Sequence, residues 1–128
     1  MDNKLEYIPG DLVFHYIPTT TIKKYVKVYV CSTNNALSLE DMDGHLYDYI
    51  GVLYPIPLTP EILEKNGWVK DKEGYINDSY HLHLCGKYDG YSVYKVVNDN
   101  VVWLTGVRNV SDLQHLLFGL GINHEMEV

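Results

Sequence analysis

PIPLTPEILEKNGW at residues 55–68 and VSDLQHLLFGLGINHEMEV at residues 110–128 are the two stretches that decide the fold class. Each reads as a short helix framed by β-rich sequence. In the first stretch, the Thr59 hydroxyl can accept a backbone N–H at the helix start, and Pro60 fits the first helical position. Gly67 is suited to end this helix, because glycine readily adopts positive φ. The stretch therefore predicts a helix of about two turns.

The second stretch has two candidate caps. Asn109 or Ser111 can begin this helix, and Gln114 is placed to close a capping box on Ser111. Its apolar residues fall on one stripe, namely Val110, Leu113, Leu117 and Leu120. Helices this short are marginal alone, so both are expected to pack on a sheet. Residues 125–128 are expected to add a short final strand.

Strand patterns fill the rest of the chain. They fall at residues 12–17, 24–31, 36–40, 45–54, 68–70, 75–76, 80–85, 91–97 and 101–104. The predicted fold class is α+β, a mainly antiparallel, strongly curved sheet or small β-barrel with two short helices packed on it. We expect a single domain, with a barrel-like β part over residues 1–55 and a helix, β-meander and helix over residues 56–128.

The composition bears on the class of partner. Seventeen Asp and Glu against ten Lys and Arg give a formal net charge of −7. A nucleic-acid binder needs a positive footprint, and the local basic cluster of Lys23, Lys24 and Lys27 is modest. Nucleic-acid binding is therefore disfavoured, and a protein partner is preferred.

The compartment is inferred from what the sequence lacks. No stretch approaches the roughly 20 apolar residues of a membrane span, and residues 1–4 do not lead into the apolar region of a signal peptide. Cys31 and Cys85 are most simply reduced thiols. We expect a cytoplasmic protein without membrane association.

The residues His81, His83 and Cys85 form the best candidate for a metal site. On a strand, alternate residues share a face, so these three side chains would line up while Leu82 and Leu84 face the core. Imidazole and thiolate are ligands for zinc or iron. The competing interpretation is a solvent-facing row above two packed leucines, and on that interpretation no cofactor is expected.

An acidic hairpin is the second candidate for a metal site. Glu40, Asp41, Asp43 and Asp48 could surround a hard cation, but the continuation that a calcium loop requires is absent. A solvated hairpin tip is therefore favoured. Motifs for nucleophilic catalysis and phosphate binding are also absent, so we do not expect an enzyme.

Aromatic residues give the candidate interface. The chain has 12 Tyr and only 2 Phe, and tyrosine is enriched where proteins meet. Tyr88, in a turn, and Tyr91 and Tyr94, on a strand, are the predicted interface residues. Trp68 and Phe118, beside helix ends, are expected in the core instead. Edge strands and exposed tyrosines also favour a homodimer.

Residues of the two predicted helices together form a recognisable pattern. It consists of Ile56-Pro57-Leu58-Thr59, Ile62-Leu63 and Gly67-Trp68, followed by Val110, Leu113-Gln114, Leu117-Phe118 and Leu120. This pattern resembles a family of small uncharacterised proteins of gut Bacteroidales bacteria and their phages. The chain departs from the family at residues 119–121, Gly-Leu-Gly, where the family often has Thr-Gly. The resemblance implies carriage on a phage or mobile element and brings no activity with it.

The sequence thus predicts a non-catalytic protein-interaction module. The alternatives are a metal-binding protein or metalloenzyme that uses His81, His83 and Cys85, and a weak nucleic-acid binder.

Overall fold

A computed structural model of the chain describes residues 8–17, 22–31, 37–48, 52–86 and 90–128. The chain divides into two compact units, Met1–Ile56 and Pro57–Val128. This boundary lies next to the expected division between a β part and a mixed part. That the two units make a single domain stays a prediction.

The amino-terminal unit contains an antiparallel sheet. Its strands are β1 (Leu12–Ile17), β2 (Ile22–Cys31), β3 (Leu37–Asp41), β4 (Leu46–Asp48) and β5 (Val52–Pro55). Their order across the sheet is β4-β3-β2-β1-β5. The single strand expected over residues 45–54 is wrong, because β4 pairs with β3 whereas β5 crosses to pair with β1. One continuous strand could not reach both partners.

A small apolar cluster forms the core of this sheet. Val26 and Val28 alternate along β2 and are fully buried, as the period of two predicts. They pack with Val13 and Leu39, and Leu53 lies against the cluster. The alternation that marked β2 in the sequence is therefore the feature that orients it.

The carboxy-terminal unit contains both helices and a second antiparallel sheet. Its strands are β6 (Val69–Lys70), β7 (Gly74–Asn77), β8 (Leu82–Gly86), β9 (Tyr91–Val97) and β10 (Asn100–Val107), and its helices are α1 (Pro60–Lys65) and α2 (Val110–Gly119). The strands lie in the order β10-β9-β8-β7-β6. Helix α1 contacts β6 and α2 contacts β10. The α+β class is confirmed, and in the described part of the chain both sheets are open rather than closed into a barrel.

Local chemistry sets both ends of α1. The Thr59 hydroxyl accepts a hydrogen bond from the Ile62 N–H at 3.3 Å, as predicted for a cap. Gly67 has φ +88°, and the Trp68 N–H beyond it donates to the Leu63 carbonyl at 3.0 Å. This left-handed stop satisfies a carbonyl of the last turn, which explains why a six-residue helix ends there.

Helix α2 begins at Asn109. The Asn109 side chain accepts from the Asp112 N–H at 2.8 Å, and the Asp112 carboxylate accepts from the Arg108 N–H at 2.9 Å. The predicted capping box between Ser111 and Gln114 is wrong, because the cap lies two residues earlier. The Ser111 hydroxyl instead donates to the Asn109 side chain at 3.0 Å.

The tail after α2 is held by side chains and is not a strand. Gln114 is fully buried and donates from its amide to the His124 carbonyl at 3.0 Å. The Asn66 amide donates to the Glu127 carbonyl at 2.7 Å and accepts from the Glu127 N–H at 2.9 Å. The expected strand over residues 125–128 is wrong, because one asparagine side chain takes the place of a neighbouring strand.

Candidate protein-binding face

The carboxy-terminal sheet has one buried face and one partly exposed face. Leu82, Leu84 and Val93 project to the first and are at most 1% exposed. The residues of the other face, which we call the open face, are all half-buried or exposed. They are Ile76, His83, Cys85, Ser92, Tyr94, Val96, Val101 and Trp103.

A row of large side chains crosses the open face. His83 of β8 pairs with Tyr94 of β9, which pairs in turn with Trp103 of β10. The Trp103 side chain is 59% exposed and Val101, two residues before it, is 58% exposed. An exposed tryptophan beside a tyrosine is a common centre of a protein interface, because both bury much apolar surface on binding.

A wide groove of about 1220 Å³ adjoins this row. His83, Tyr94 and Val101 contribute to its apolar and aromatic wall. Its charged lining residues are two cations and two anions, Lys72, Arg108, Glu73 and Asp112. Their formal charges cancel, so the groove favours neither an anionic nor a cationic ligand.

Of the two aromatic residues expected in the core, the structure confirms one and contradicts the other. Trp68 is 3% exposed, which confirms its core position. The core position expected for Phe118 is wrong, because it is 57% exposed. Phe118 follows the buried Leu117 by one residue, about 100° around the helix, and its ring meets the His124 ring edge-on at 5.1 Å.

The three predicted interface tyrosines do not share one surface. Tyr88 lies outside the described residues. Tyr91 and Tyr94 project to opposite faces of β9, because they are three residues apart on a strand. Tyr91 packs edge-on against Tyr75 at 6.4 Å, and burial raises its pKa. Of the three, Tyr94 belongs to the open face.

His81, His83 and Cys85 are not brought together as three ligands. His81 precedes β8 and has φ +57°, so the expectation that it shares the strand face is wrong. The ligand atoms of the three residues do not form a group within 4.8 Å. His83 and Cys85 do share the open face, as predicted for alternate residues.

The chemistry of Cys85 also works against metal binding. Its thiol is free and half-buried, and burial raises its pKa, with further contributions from the Glu73 and Asp71 charges. A raised pKa keeps the sulfur protonated at neutral pH, whereas zinc and iron bind the thiolate.

The acidic hairpin gathers a different set of residues from the one expected. Asp41, Asp43 and His45 place one ligand atom each within 4.8 Å of one another, and the last two are exposed. The Asp41 carboxylate accepts from the His45 N–H at 2.9 Å and from the Asp43 N–H at 3.0 Å. The His45 N–H is the main reason that the pKa of Asp41 is lowered. These bonds close the turn, so they explain the cluster without an ion. Sequence reasoning missed His45, although the alternation of 41, 43 and 45 was visible.

The described residues contain little information on the basic cluster of Lys23, Lys24 and Lys27. Lys23 and Lys24 lie in β2, and their side chains fall outside the described part of the chain. Lys27 is half-buried.

Comparison with known proteins found no match among family models, curated proteins or solved structures. The resemblance to the Bacteroidales family therefore stays a prediction. Of the helices in the described residues, neither has the length and apolar character needed to cross a membrane.

Proposed function

We propose that this chain is a non-catalytic module that binds another protein through the open face of its carboxy-terminal sheet. The observation that carries the proposal is the row of His83, Tyr94 and Trp103, with an indole that is 59% exposed. Exposed apolar residues that adjoin one another mark interaction sites more often than scattered ones do, and Val101 and Tyr94 beside the indole also line the groove. The partner binds by covering the indole and the Tyr94 ring.

The lining of the groove indicates the chemistry of the partner. Lys72 and Arg108 are balanced by Glu73 and Asp112. A strongly charged ligand would gain from one pair and be repelled by the other. The partner segment is therefore uncharged and rich in aromatic or aliphatic residues, which suits contact with Trp103 and Val101.

The charge balance of the groove argues against nucleic-acid binding, and the ligand geometry argues against a metal site. Nucleic acid would require a net positive footprint along the groove. A metal site would require a third ligand beside His83 and Cys85 and a thiol that ionises readily. Catalysis by Cys85 is also disfavoured, because its thiol does not ionise readily and a protonated thiol is a poor nucleophile.

The proposal also covers the genetic origin of the chain and its cellular location. The residues that resemble the Bacteroidales family support carriage by a phage or mobile element of such bacteria. Cys85 is a free thiol, as is usual in the reducing cytoplasm, and this supports a cytoplasmic location.

Selection from a displayed library of random peptides tests the proposed function and does not require the partner to be identified first. We expect enrichment of uncharged, aromatic-rich peptides that bind the unaltered chain. Binding should fall about tenfold or more in Tyr94→Ala, because hot-spot aromatics contribute at least about 1–2 kcal/mol. Phe118→Ala is the control, since Phe118 is an aromatic residue on α2 whose exposure of 57% is close to that of Trp103. Enriched peptides that bind Tyr94→Ala as well as the unaltered chain would contradict the proposal, as would the absence of enrichment.

A further inference from the structure

The dipeptide Asn66-Gly67 follows the last residue of α1, and it is the one Asn-Gly pair in the sequence. In such a pair the backbone nitrogen of the glycine can attack the side-chain amide of the asparagine, because glycine has no side chain to hinder the approach. Asparagine is among the thermolabile residues of proteins. Gly67 is exposed and Asn66 is half-buried, so solvent reaches the pair. The dipeptide is therefore a candidate site of covalent modification.

The modification is deamidation, which has two steps. In the first, the Gly67 nitrogen bonds to Cγ of Asn66 and the side-chain amide nitrogen leaves as ammonia, with the proton of the Gly67 N–H. In the second, solvent water opens the cyclic imide that results. Breaking the bond from the Gly67 nitrogen to Cγ gives aspartate, and breaking its bond to the backbone carbonyl carbon gives isoaspartate. Both products have a carboxylate where the chain had a neutral amide.

The structure holds the Asn66 amide away from this reaction. The amide donates to the Ile62 and Glu127 carbonyls, each at 2.7 Å, and its oxygen accepts from the Glu127 N–H at 2.9 Å. The Asn66 side chain must turn towards the Gly67 nitrogen for the imide ring to close, and this rotation would break these bonds. The reaction therefore requires the tail to open first.

The backbone at the end of α1 opposes the same step. The Gly67 N–H donates to the Glu64 carbonyl at 3.1 Å, so the attacking nitrogen is itself engaged. Asn66 has ψ 18°, which holds the Gly67 nitrogen on the side of the Asn66 backbone nitrogen. Ring closure needs the Gly67 nitrogen on the side of Cβ instead. The conformation that ends the helix thus also suppresses the attack.

Modification would in turn remove the attachment of the tail. A carboxylate accepts hydrogen bonds but has no N–H to donate. At position 66 it could still accept from the Glu127 N–H, but it would face the Ile62 and Glu127 carbonyl oxygens without a donor between them. Because ammonia is lost to solvent, closing the tail again would not restore the amide. We propose that Asn66-Gly67 is a modification site at which the docked tail suppresses deamidation and deamidation releases the tail.

Incubation of the full chain in water enriched in heavy oxygen tests the first half of this proposal. Mass spectrometry of the peptide that contains Asn66 measures the oxygen taken up and hence the rate of deamidation. The rate in urea should exceed the rate in the folded chain by about tenfold or more, because the side-chain bonds are lost on unfolding.

Two substitutions at Glu127 separate the docked tail from the rest of the fold. Glu127→Pro removes the N–H that donates to Asn66, so it should raise the rate about fivefold, the factor expected for one hydrogen bond. Glu127→Ala is the matched control and should react as slowly as the unaltered chain, because both bonds use Glu127 backbone atoms. Equal rates in the folded chain and in urea would overturn the proposal, as would equal rates in the two variants.

Asn66→Asp tests the second half, since it carries one of the two products. The Glu127 amide should exchange its hydrogen about tenfold faster than in the unaltered chain, because the donor to the tail is lost. Asn123→Asp is the matched control, because it makes the same chemical change at an exposed position and still accepts from the Glu125 N–H. Exchange at Glu127 that is as slow in Asn66→Asp as in Asn123→Asp would overturn the release of the tail. Neither measurement depends on the proposed peptide binding, so the two proposals fail separately.

Discussion

The Tyr75 hydroxyl donates a hydrogen bond of 3.0 Å to the Glu64 carboxylate. This bond joins β7 to α1, two elements that are too short to persist alone. Tyr75 is 4% exposed, and burial, followed by the hydrogen bond to Glu64 and then the Glu64 charge, raises its pKa above the ordinary value of 10.0. A buried tyrosine thus holds the first helix to the sheet.

Tyr75→Phe should lower the free energy of unfolding by about 1 kcal/mol, because it removes this hydrogen bond and keeps the ring. Urea denaturation measures the effect. Tyr54→Phe is the control, since Tyr54 is 48% exposed, and it should change little. Equal effects of the two substitutions would contradict the role given to Tyr75.

The same bond predicts a pH dependence. Because the pKa of Tyr75 is raised in the folded state, its contribution to stability is complete below pH 10.0 and is lost as pH rises through the folded-state value. Urea denaturation between neutral pH and pH 11 should show the difference between the unaltered chain and Tyr75→Phe shrink at the alkaline end. A constant difference would show that Tyr75 does not titrate in this way.

Gly74→Ala should be among the most destabilising single substitutions, by about 3 kcal/mol. A Cβ atom at Gly74 would lie 1.9 Å from the Leu84 carbonyl oxygen, so β7 and β8 would have to separate. Gly119→Ala is the control, because nothing lies within 4 Å of its added Cβ and alanine favours helix. Thermal unfolding should separate the two variants clearly, and similar melting temperatures would contradict the close approach of these strands.

Asn66→Ala should release the tail. It removes the two hydrogen bonds to the Glu127 backbone, so the Glu127 amide should exchange its hydrogen faster by about tenfold or more. Asn123→Ala, which removes one exposed bond to the Glu125 N–H, is the control and should leave Glu127 protected. Hydrogen exchange read by NMR distinguishes these outcomes, and unchanged exchange in Asn66→Ala would contradict the proposed attachment.

Alkylation of Cys85 should be slow at neutral pH, and its rate should reach half of the maximum only above the ordinary pKa of 9.0, because burial and the Glu73 and Asp71 charges disfavour the thiolate. Peptide mapping by mass spectrometry separates its rate from that of Cys31. Glu73→Gln should shift the rate profile to lower pH. A profile centred below pH 9 in the unaltered chain would reopen the metal and nucleophile hypotheses.

Local sequence signals were sufficient where the structure depends on neighbouring residues. The bounds predicted for β1 and β9 match the structure, because turn residues flank each alternating run. The cap at Thr59 was equally readable, since capping involves residues within one helical turn.

Local sequence patterns failed to predict the structure where contacts with residues distant in the sequence determine it. The His81 position depends on a turn in which the Tyr80 N–H donates to the Asn77 carbonyl at 3.2 Å and its side chain at 3.3 Å, so β8 starts later than its apolar pattern suggests. Gln114 reads as a cap residue, but it is buried because the tail folds back on it. The exposure of Trp103 depends on the position of β10 at the sheet edge, which its own residues do not encode.

The bulge at Leu104 shifts the alternation of side chains between the two faces of the sheet, so β10 has one phase of alternation before the bulge and another after it. Strict alternation from Val101 would turn Val107 outward with Trp103, yet Val107 pairs with Tyr91 and is 2% exposed. The extra residue thus lets one strand present Trp103 to a partner and still deliver Val107 to the core. Loss of one residue at Leu104 would keep both phases, whereas loss of one elsewhere in residues 100–107 would leave part of the strand facing the wrong side. The loss of one residue should therefore be tolerated better at Leu104 than at other positions of β10.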